Sequence, residues 1–253
     1  MIDFSEGIAL WQGWAAAGVV AMLIGIAKTG VPGVGILAVV LLASVMDVKQ
    51  SVGFLLPILI MGDCFALKFY RRHADWPQLA RLMPAALVGI VIGYFLMERI
   101  TSAQLRPLLG GIVMVLLALD GLRERLPVSA DAPSHGSVGV AVGVAAGITT
   151  TLANAAGPLI AVYFLSMRFD KHRFIGTAAW YFFVLNCTKV PFFIAQTPPL
   201  ITGRSVLGNL CLLPAVAAGA LLGVFLLRKI PQKWFVVLVR ILTALAAARL
   251  ALG

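Results

Sequence analysis

The charged residues of this chain gather in short clusters, and between the clusters run apolar stretches of about 18 residues or more, the length an α-helix needs to cross the hydrocarbon core of a bilayer. Composition agrees: 61% of the 253 residues are hydrophobic and 12% charged, against about 45–50% and about 25% in an ordinary soluble domain. A soluble core cannot absorb that much apolar surface, so the sequence predicts an all-α polytopic membrane protein. The net charge of +10 would suggest nucleic acid in a soluble protein. Here the basic residues sit at segment ends, where they hold the chain at the cytoplasmic face and meet anionic lipid; the lipid bilayer is the expected partner and nucleic acid is not. No Lys or Arg precedes Lys28, and Asp3 and Glu6 stand in the first turn of the chain, so the first apolar stretch is expected to be retained rather than cleaved as a signal peptide. Cys64, Cys187 and Cys211 fall within apolar segments without metal-ligand spacing and read as small buried residues. No disulfide, metal or cofactor is expected.

The chain also repeats itself. Gly25 to Gly35 (GIAKTGVPGVG) lies over Gly147 to Gly157 (GITTTLANAAG) at an offset of 122, and Asp63-Cys64 lies over Asn186-Cys187 at 123. Further on, Pro84 to Gly93 lies over Pro214 to Gly223 at 130, with Arg99-Ile100 over Lys229-Ile230. The order of landmarks is the same in both halves, which predicts a duplication: a first transmembrane repeat at 1–125, a linker at 126–136 rich in Pro, Ser and Asp, and a second repeat at 137–253. Each half holds one long apolar segment with a glycine-rich break followed by three plain helices. The expected segments are 7–45, 52–70, 78–97 and 104–122, then 137–166, 174–195, 206–227 and 232–251.

The first segment of each half is too long for one crossing and carries its helix breakers near the middle: Gly30, Pro32, Gly33 and Gly35, then Asn154, Gly157 and Pro158. Such a break in lipid must be buried in protein or line a cavity, because its backbone groups have no water to pair with. A kinked single span and a re-entrant hairpin both satisfy that condition, and charge separates them. With Lys28, Lys189 and Arg240 set aside as lying within segments, 17 Lys and Arg remain. Single crossings would split them 8 against 9; re-entrant segments split them 12 against 5, with Lys68, Arg71, Arg72, Lys171, Arg173 and Arg228 among those on the richer side. Positive loops belong in the cytoplasm. The expected fold is therefore two inverted four-segment repeats, each opening with a broken, re-entrant helix, with both termini outside.

Inverted repeats with broken helices are the architecture of many secondary transporters, whose substrate sits near the midplane where half-helices meet. The N-terminal end of a half-helix offers free amides and partial positive charge, which suits an anion. Gly33 and Gly35 let the backbone approach a ligand closely, and Thr29, Gly30 and Gly157 stand at the same breaks. Ionisable residues inside apolar segments are functional clues by default; here they are Lys28, Asp63, Lys189 and Arg240. Lys28 is placed to pair with an anion, or to snorkel toward an interface. Asp63, matched by Asn186, is placed to partner Lys28 or Lys189, to take up a proton, or to tie the halves together. Lys189 lies one turn beyond Asn186, and Arg240 reads as structural. Thr149, Thr150, Thr151 and Asn154 bring hydroxyl and amide groups to the second break, where they could bind sulfonate or phosphate oxygens, and could equally cap helix ends or glue helices together. The candidate substrate site is Lys28, Thr29, Gly30, Gly33, Gly35, Thr150, Asn154, Gly157, Asn186 and Lys189, with Asp63 as coupling group or ion-pair partner. Gly89 and Gly93, echoed by Gly219 and Gly223, form small-xxx-small faces for close helix packing. His73, His135 and His172 have no zinc spacing, and no Walker loop, nucleophile elbow or His-Glu-x-x-His occurs.

Two glycine-rich broken segments, Gly25 to Leu37 (GIAKTGVPGVGIL) and Gly147 to Ile160 (GITTTLANAAGPLI), and the later Gly176 to Lys189 stretch (GTAAWYFFVLNCTK) resemble the TauE/SafE sulfite exporter family over nearly the whole chain. The resemblance implies a protein of the bacterial inner membrane that moves sulfite, sulfoacetate or related small anions. It carries over the Gly30 to Gly35 and Asn154 to Pro158 breaks and the Asn186 and Lys189 pair as site positions. Where that family often has three consecutive glycines, this chain has Gly33-Val34-Gly35. The expected function is a secondary transporter of sulfite or a small organosulfonate working by alternating access at the two breaks, and not an enzyme. An anion channel and a membrane-bound enzyme subunit are the alternatives; the latter would need acid–base or nucleophilic groups clustered at one depth. An oligomer is compatible with the sequence.

Overall fold

The computed structural model of the protein describes residues 7–99, 101, 104 and 136–252. The expected helix at 104–122 beyond its first residue, linker residues 126–135, His135, and the side chain of Arg240 lie outside the described part. Among the described residues there are no strands. The helices are α1 (Gly7–Thr29), α2 (Val34–Val45), α3 (Val48–Tyr70), α4 (Trp76–Arg99), α5 (Gly136–Ala153), α6 (Gly157–Ser166), α7 (Lys171–Ala195), α8 (Gly203–Leu210), α9 (Leu213–Lys229) and α10 (Gln232–Leu252), with a 3₁₀ turn at Arg71–His73. Three helices are long and apolar enough to cross a membrane, Lys49–His73, Trp76–Met97 and Lys171–Ala195, and the bent pair α8 and α9 makes a fourth if taken as one span. Several helices of this length and composition are the pattern of a multi-pass membrane protein.

Both α3 and α7 start at an aspartate cap. Asp47 Oδ1 accepts from the amides of Lys49 and Gln50, and Asp170 Oδ1 accepts from those of His172 and Arg173, so each helix begins with its free amides satisfied. The two caps stand 123 positions apart, the spacing that also separates Asp63 from Asn186.

Glycine sets which helices touch. In α4 and α5, a Cβ at Gly147 would overlap the Ala86 carbonyl and one at Gly89 the Val144 carbonyl. In α1 and α9, a Cβ at Gly219 would overlap the Met22 carbonyl and one at Gly25 the Val216 carbonyl. These are the close crossings the Gly89/Gly93 and Gly219/Gly223 spacing predicts. Contact positions rise together along each pair, Gly143 and Gly147 against Leu82 and Ala86, so paired helices run parallel. The α3 and α7 helices pack the opposite way, with the end of α3 beside the start of α7: a Cβ at Gly176 would stand 2.6 Å from the Tyr70 carbonyl, and the His73 and His172 rings lie 5.5 Å apart.

One end of the molecule is basic. The ends of α3 and α9 and the starts of α4, α7 and α10 meet there: Asp75 pairs with Arg173, Trp180 Nε1 donates to the Arg71 carbonyl, and the Lys171 ammonium donates to the carbonyls of Leu227 and Ile230 that close α9. The α6 helix returns to this same end, because Tyr163 Oη donates to Gln78 at the start of α4 and stands 3.3 Å from a Cβ built at Gly139, near the start of α5. The chain between α5 and α6 therefore doubles back on itself.

Two expectations are corrected. The stretch 206–227 is not one plain helix: the amides of Cys211 and Leu212 shift to acceptors three residues back, Pro214 occupies the first turn of α9, and α8 meets α9 at 52°. Asn209 fixes the bend by donating to the Phe54 carbonyl at 2.9 Å. The three cysteines are exposed rather than buried, each on the outward face of its helix. A thiol is apolar enough to sit there, and apolar segment composition does not say which side of a helix faces inward.

Candidate functional site

The first break follows directly from its residues. The α1 helix ends at Thr29, whose Oγ1 lies 3.0 Å from the Gly25 carbonyl and 2.7 Å from that of Ala220, pinning the helix end to α9. A Cβ at Gly30 would run into the backbone of Gly223, and Gly33 takes φ of +99° with Leu242 of α10 2.6 Å from where a Cβ would be. Only glycine adopts that conformation at low cost. The α2 helix then starts with no side-chain cap; the Val34 amide turns back to the Val31 carbonyl, which leaves the rest of the first turn's amides to the space before the helix.

Lys28 sits one residue before the end of α1, and its ammonium is 2.7 Å from Asp63 Oδ1 of α3 and 4.5 Å from the centre of the Phe182 ring. The lysine is 13% exposed; the aspartate is fully buried. The other carboxylate oxygen, Oδ2, accepts from Asn186 Nδ2 at 2.7 Å. Because a carboxylate can only accept, this fixes the Asn186 amide, and its Oδ1 is left buried without a protein partner among the described residues.

The second break is built differently. Asn154 takes φ of +52°, the left-handed region where asparagine is the commonest residue after glycine. Its Nδ2 donates to the Val52 carbonyl of α3 at 2.9 Å. Its Oδ1 accepts from the Lys189 ammonium at 2.7 Å, which also donates to the carbonyl and hydroxyl oxygens of Thr150, each at 3.1 Å. Lys189 is completely buried. The α6 helix starts beyond the break, again without a side-chain cap and with a proline in its first turn.

Both breaks open onto one cavity of about 100 Å³, room for several waters at roughly 10–15 Å³ each by the same measure, or for a small oxyanion with a short organic body. Lys28, Pro32, Gly33 and Gly35 line it from the first half, and Thr150, Asn154, Gly157, Pro158 and Asn186 from the second. The first turns of α2 and α6 thus face the same space. The rest of the wall is apolar, including Ile24, Val39, Leu59, Ile160 and Phe182.

Of the residues expected at the site, Lys28, Gly33, Gly35, Thr150, Asn154, Gly157 and Asn186 line the cavity. Thr29 and Gly30 are spent on packing α1 against α9. Asp63 lies behind Lys28, and the Lys189 ammonium lies behind Thr150 and Asn154. Lys189 and Asn186, one turn apart, therefore serve two different neighbours. The apolar wall was missed, yet its signal is in the sequence: Ile24, Leu59 and Phe182 each precede an ionisable or amide residue of the cluster, Lys28, Asp63 and Asn186, by four positions, one helical turn on the same face. No cluster of three or more metal-binding side chains occurs among the described residues.

Among known protein families, the model described as Sulfite exporter TauE/SafE matches residues 13–250. No curated protein and no solved structure matches the chain.

Proposed function

With the match spanning nearly its whole length, the chain belongs to the sulfite exporter TauE/SafE family, a family of exporter-type transporters, and from that premise we propose that it carries sulfite or a small organosulfonate, sulfoacetate-like anion by alternating access. The bound anion lies in the cavity between the two breaks. The observation that carries this reading is the convergence of the breaks: two helix starts without side-chain caps and one cation, Lys28, line a single cavity. Free amides and a lysine ammonium supply the donors that sulfonate-type oxygens require. The apolar wall of Leu59, Val39, Ile160 and Phe182 suits a short carbon skeleton beside the anionic head. The unpartnered Asn186 Oδ1 accepts a hydrogen bond from a protonated ligand or its water.

The same geometry favours two inverted repeats with re-entrant breaks. Equivalent helices α3 and α7 pack antiparallel; α1 with α9 and α4 with α5 are the same pairing with the halves exchanged. The first two helices of each half return to the end from which they entered. The basic end then faces the cytoplasm of a bacterial inner membrane. Lys28 holds an occupant through charge, and release of Lys28 from Asp63 as the anion arrives gives Asp63 its role as coupling group.

The test is uptake of radiolabelled sulfite and sulfoacetate into proteoliposomes holding wild type or Lys28→Ala. Saturable uptake, stimulated by substrate preloaded inside and reduced at least tenfold in the variant, is expected. Uptake that never saturates and ignores preloading would indicate a channel. Folded protein that takes up neither anion would refute the substrate assignment.

A further inference from the structure

Lys189 is a charge with nowhere to go. It is completely buried, and among the described residues no carboxylate lies within ion-pair distance of its ammonium. Instead three oxygens surround it: the Thr150 carbonyl at 3.1 Å, the Thr150 hydroxyl at 3.1 Å and Asn154 Oδ1 at 2.7 Å. An ammonium has three protons, and these are three acceptors at ordinary hydrogen-bond distances.

The source of the oxygens is the informative part. The Thr150 carbonyl belongs to the last turn of α5, and its backbone donor is the amide of Asn154, the residue that leaves the helix with positive φ. Unwound backbone carbonyls and half-helix C-terminal ends are what broken helices of secondary transporters present to a monovalent coupling cation, and here the Thr150 hydroxyl and the Asn154 side-chain oxygen complete a three-oxygen set. We infer that the second break contains a monovalent-cation site, formed by Thr150 and Asn154, and that this protein fills it permanently with the tethered ammonium of Lys189. The break consequently needs no sodium ion at this position, and its electrostatic support for the cavity face of Thr150 and Asn154 is covalently supplied. Lys189 is a positioning residue: its ammonium acts on the ligand only through the two residues it holds.

The site becomes addressable once the tether is cut. Lys189→Ala deletes three methylenes and the ammonium, the atoms of n-propylammonium. Thermal unfolding of the purified full chain in detergent is the readout, with n-propylammonium, n-propanol or no additive. The variant is expected to melt well below wild type and to regain on the order of 3 °C or more with saturating n-propylammonium, while wild type does not respond. Equal recovery with n-propanol would mean that the gap is merely filled, and would overturn the cation assignment, as would no recovery at all. If Lys189→Ala does not fold unaided, n-propylammonium present throughout purification should recover it, with Lys189→Ser as the second truncation; failure of both under that condition also overturns the inference. Unfolding involves no transported anion, so this result stands whether or not the proposed substrate is right.

Discussion

The two breaks lie in stretches that align in the sequence, 25–35 over 147–157, yet each keeps its cation in a different relation to the cavity. At the first, Lys28 lines the space and is neutralised by a carboxylate, Asp63, that lies behind it. At the second, Lys189 lies behind the lining and is held by neutral oxygens, with the Phe193 ring centre 5.8 Å from its ammonium. An ion pair beside a cavity can be opened by an incoming anion, which offers the ammonium an equivalent partner. A fully enclosed ammonium among three acceptors has no such exchange available. In the proposed transport the first break is therefore the responsive one and the second the fixed one, although their sequences align.

The sharpest way to break that comparison is to remove Lys28 and Asp63 singly and together. Lys28→Met leaves the Asp63 carboxylate buried with only Asn186, which should cost about 3–5 kcal/mol of stability, the usual penalty for orphaning one member of a buried pair. Lys28→Met with Asp63→Asn removes both charges and should recover most of that stability, since a buried ion pair is often no better than a neutral replacement. Transport should stay lost in the double variant, because no cation faces the cavity. Denaturant or thermal unfolding beside anion uptake reads both effects. Recovery of uptake in the double variant would show that the pair is a structural tie between helices and that the anion is held by backbone amides alone.

The second break should respond through geometry. Asn154→Ala removes one acceptor from Lys189 and one bond to Val52 and puts a Cβ-bearing residue without a polar side chain at φ +52°; about 2–4 kcal/mol of destabilisation is expected. Asn154→Gly loses the same bonds but tolerates the backbone, so it should be milder by about 1 kcal/mol. If the two variants are equally unstable, the positive φ contributes nothing and the Lys189 contacts account for the whole effect.

Much of this arrangement was legible before any coordinates. Ionisable residues are so rare in apolar segments that Lys28, Asp63 and Lys189 stood out, and the matched Asp63 and Asn186 do touch, at 2.7 Å. The breaks were visible because Gly33, Gly157 and Pro158 cannot sit quietly in a continuous helix. What the sequence could not supply was direction around each helix axis. Lys189 and Asn186 lie one turn apart on one helix, but the packing of α7 against α3 and α4 sends one side chain to Asp63 and the other to Thr150. The outward cysteines were misread for the same reason: helices that are apolar all round carry no stripe to distinguish inside from outside. The bend at Cys211 depends on Asn209 reaching the Phe54 carbonyl 155 positions away, a contact with no local signature.

The smallest expected effect separates the two breaks most economically, because it compares one substitution at two glycines. Gly33→Ala forces a side chain into φ of +99° and against Leu242, so about 1–3 kcal/mol of destabilisation is expected. Gly157→Ala meets nothing within 4 Å and takes no left-handed backbone; placed at the start of α6, alanine should change stability by no more than about 0.5 kcal/mol. Gly157 nevertheless lines the cavity, so the added methyl should show in the apparent affinity for the anion as a severalfold weakening without loss of folded protein. Unfolding curves and concentration-dependent uptake on the two variants read this directly. If Gly157→Ala proves as unstable as Gly33→Ala, the second break is as conformationally constrained as the first, and the tether from Lys189 is not what holds it in place.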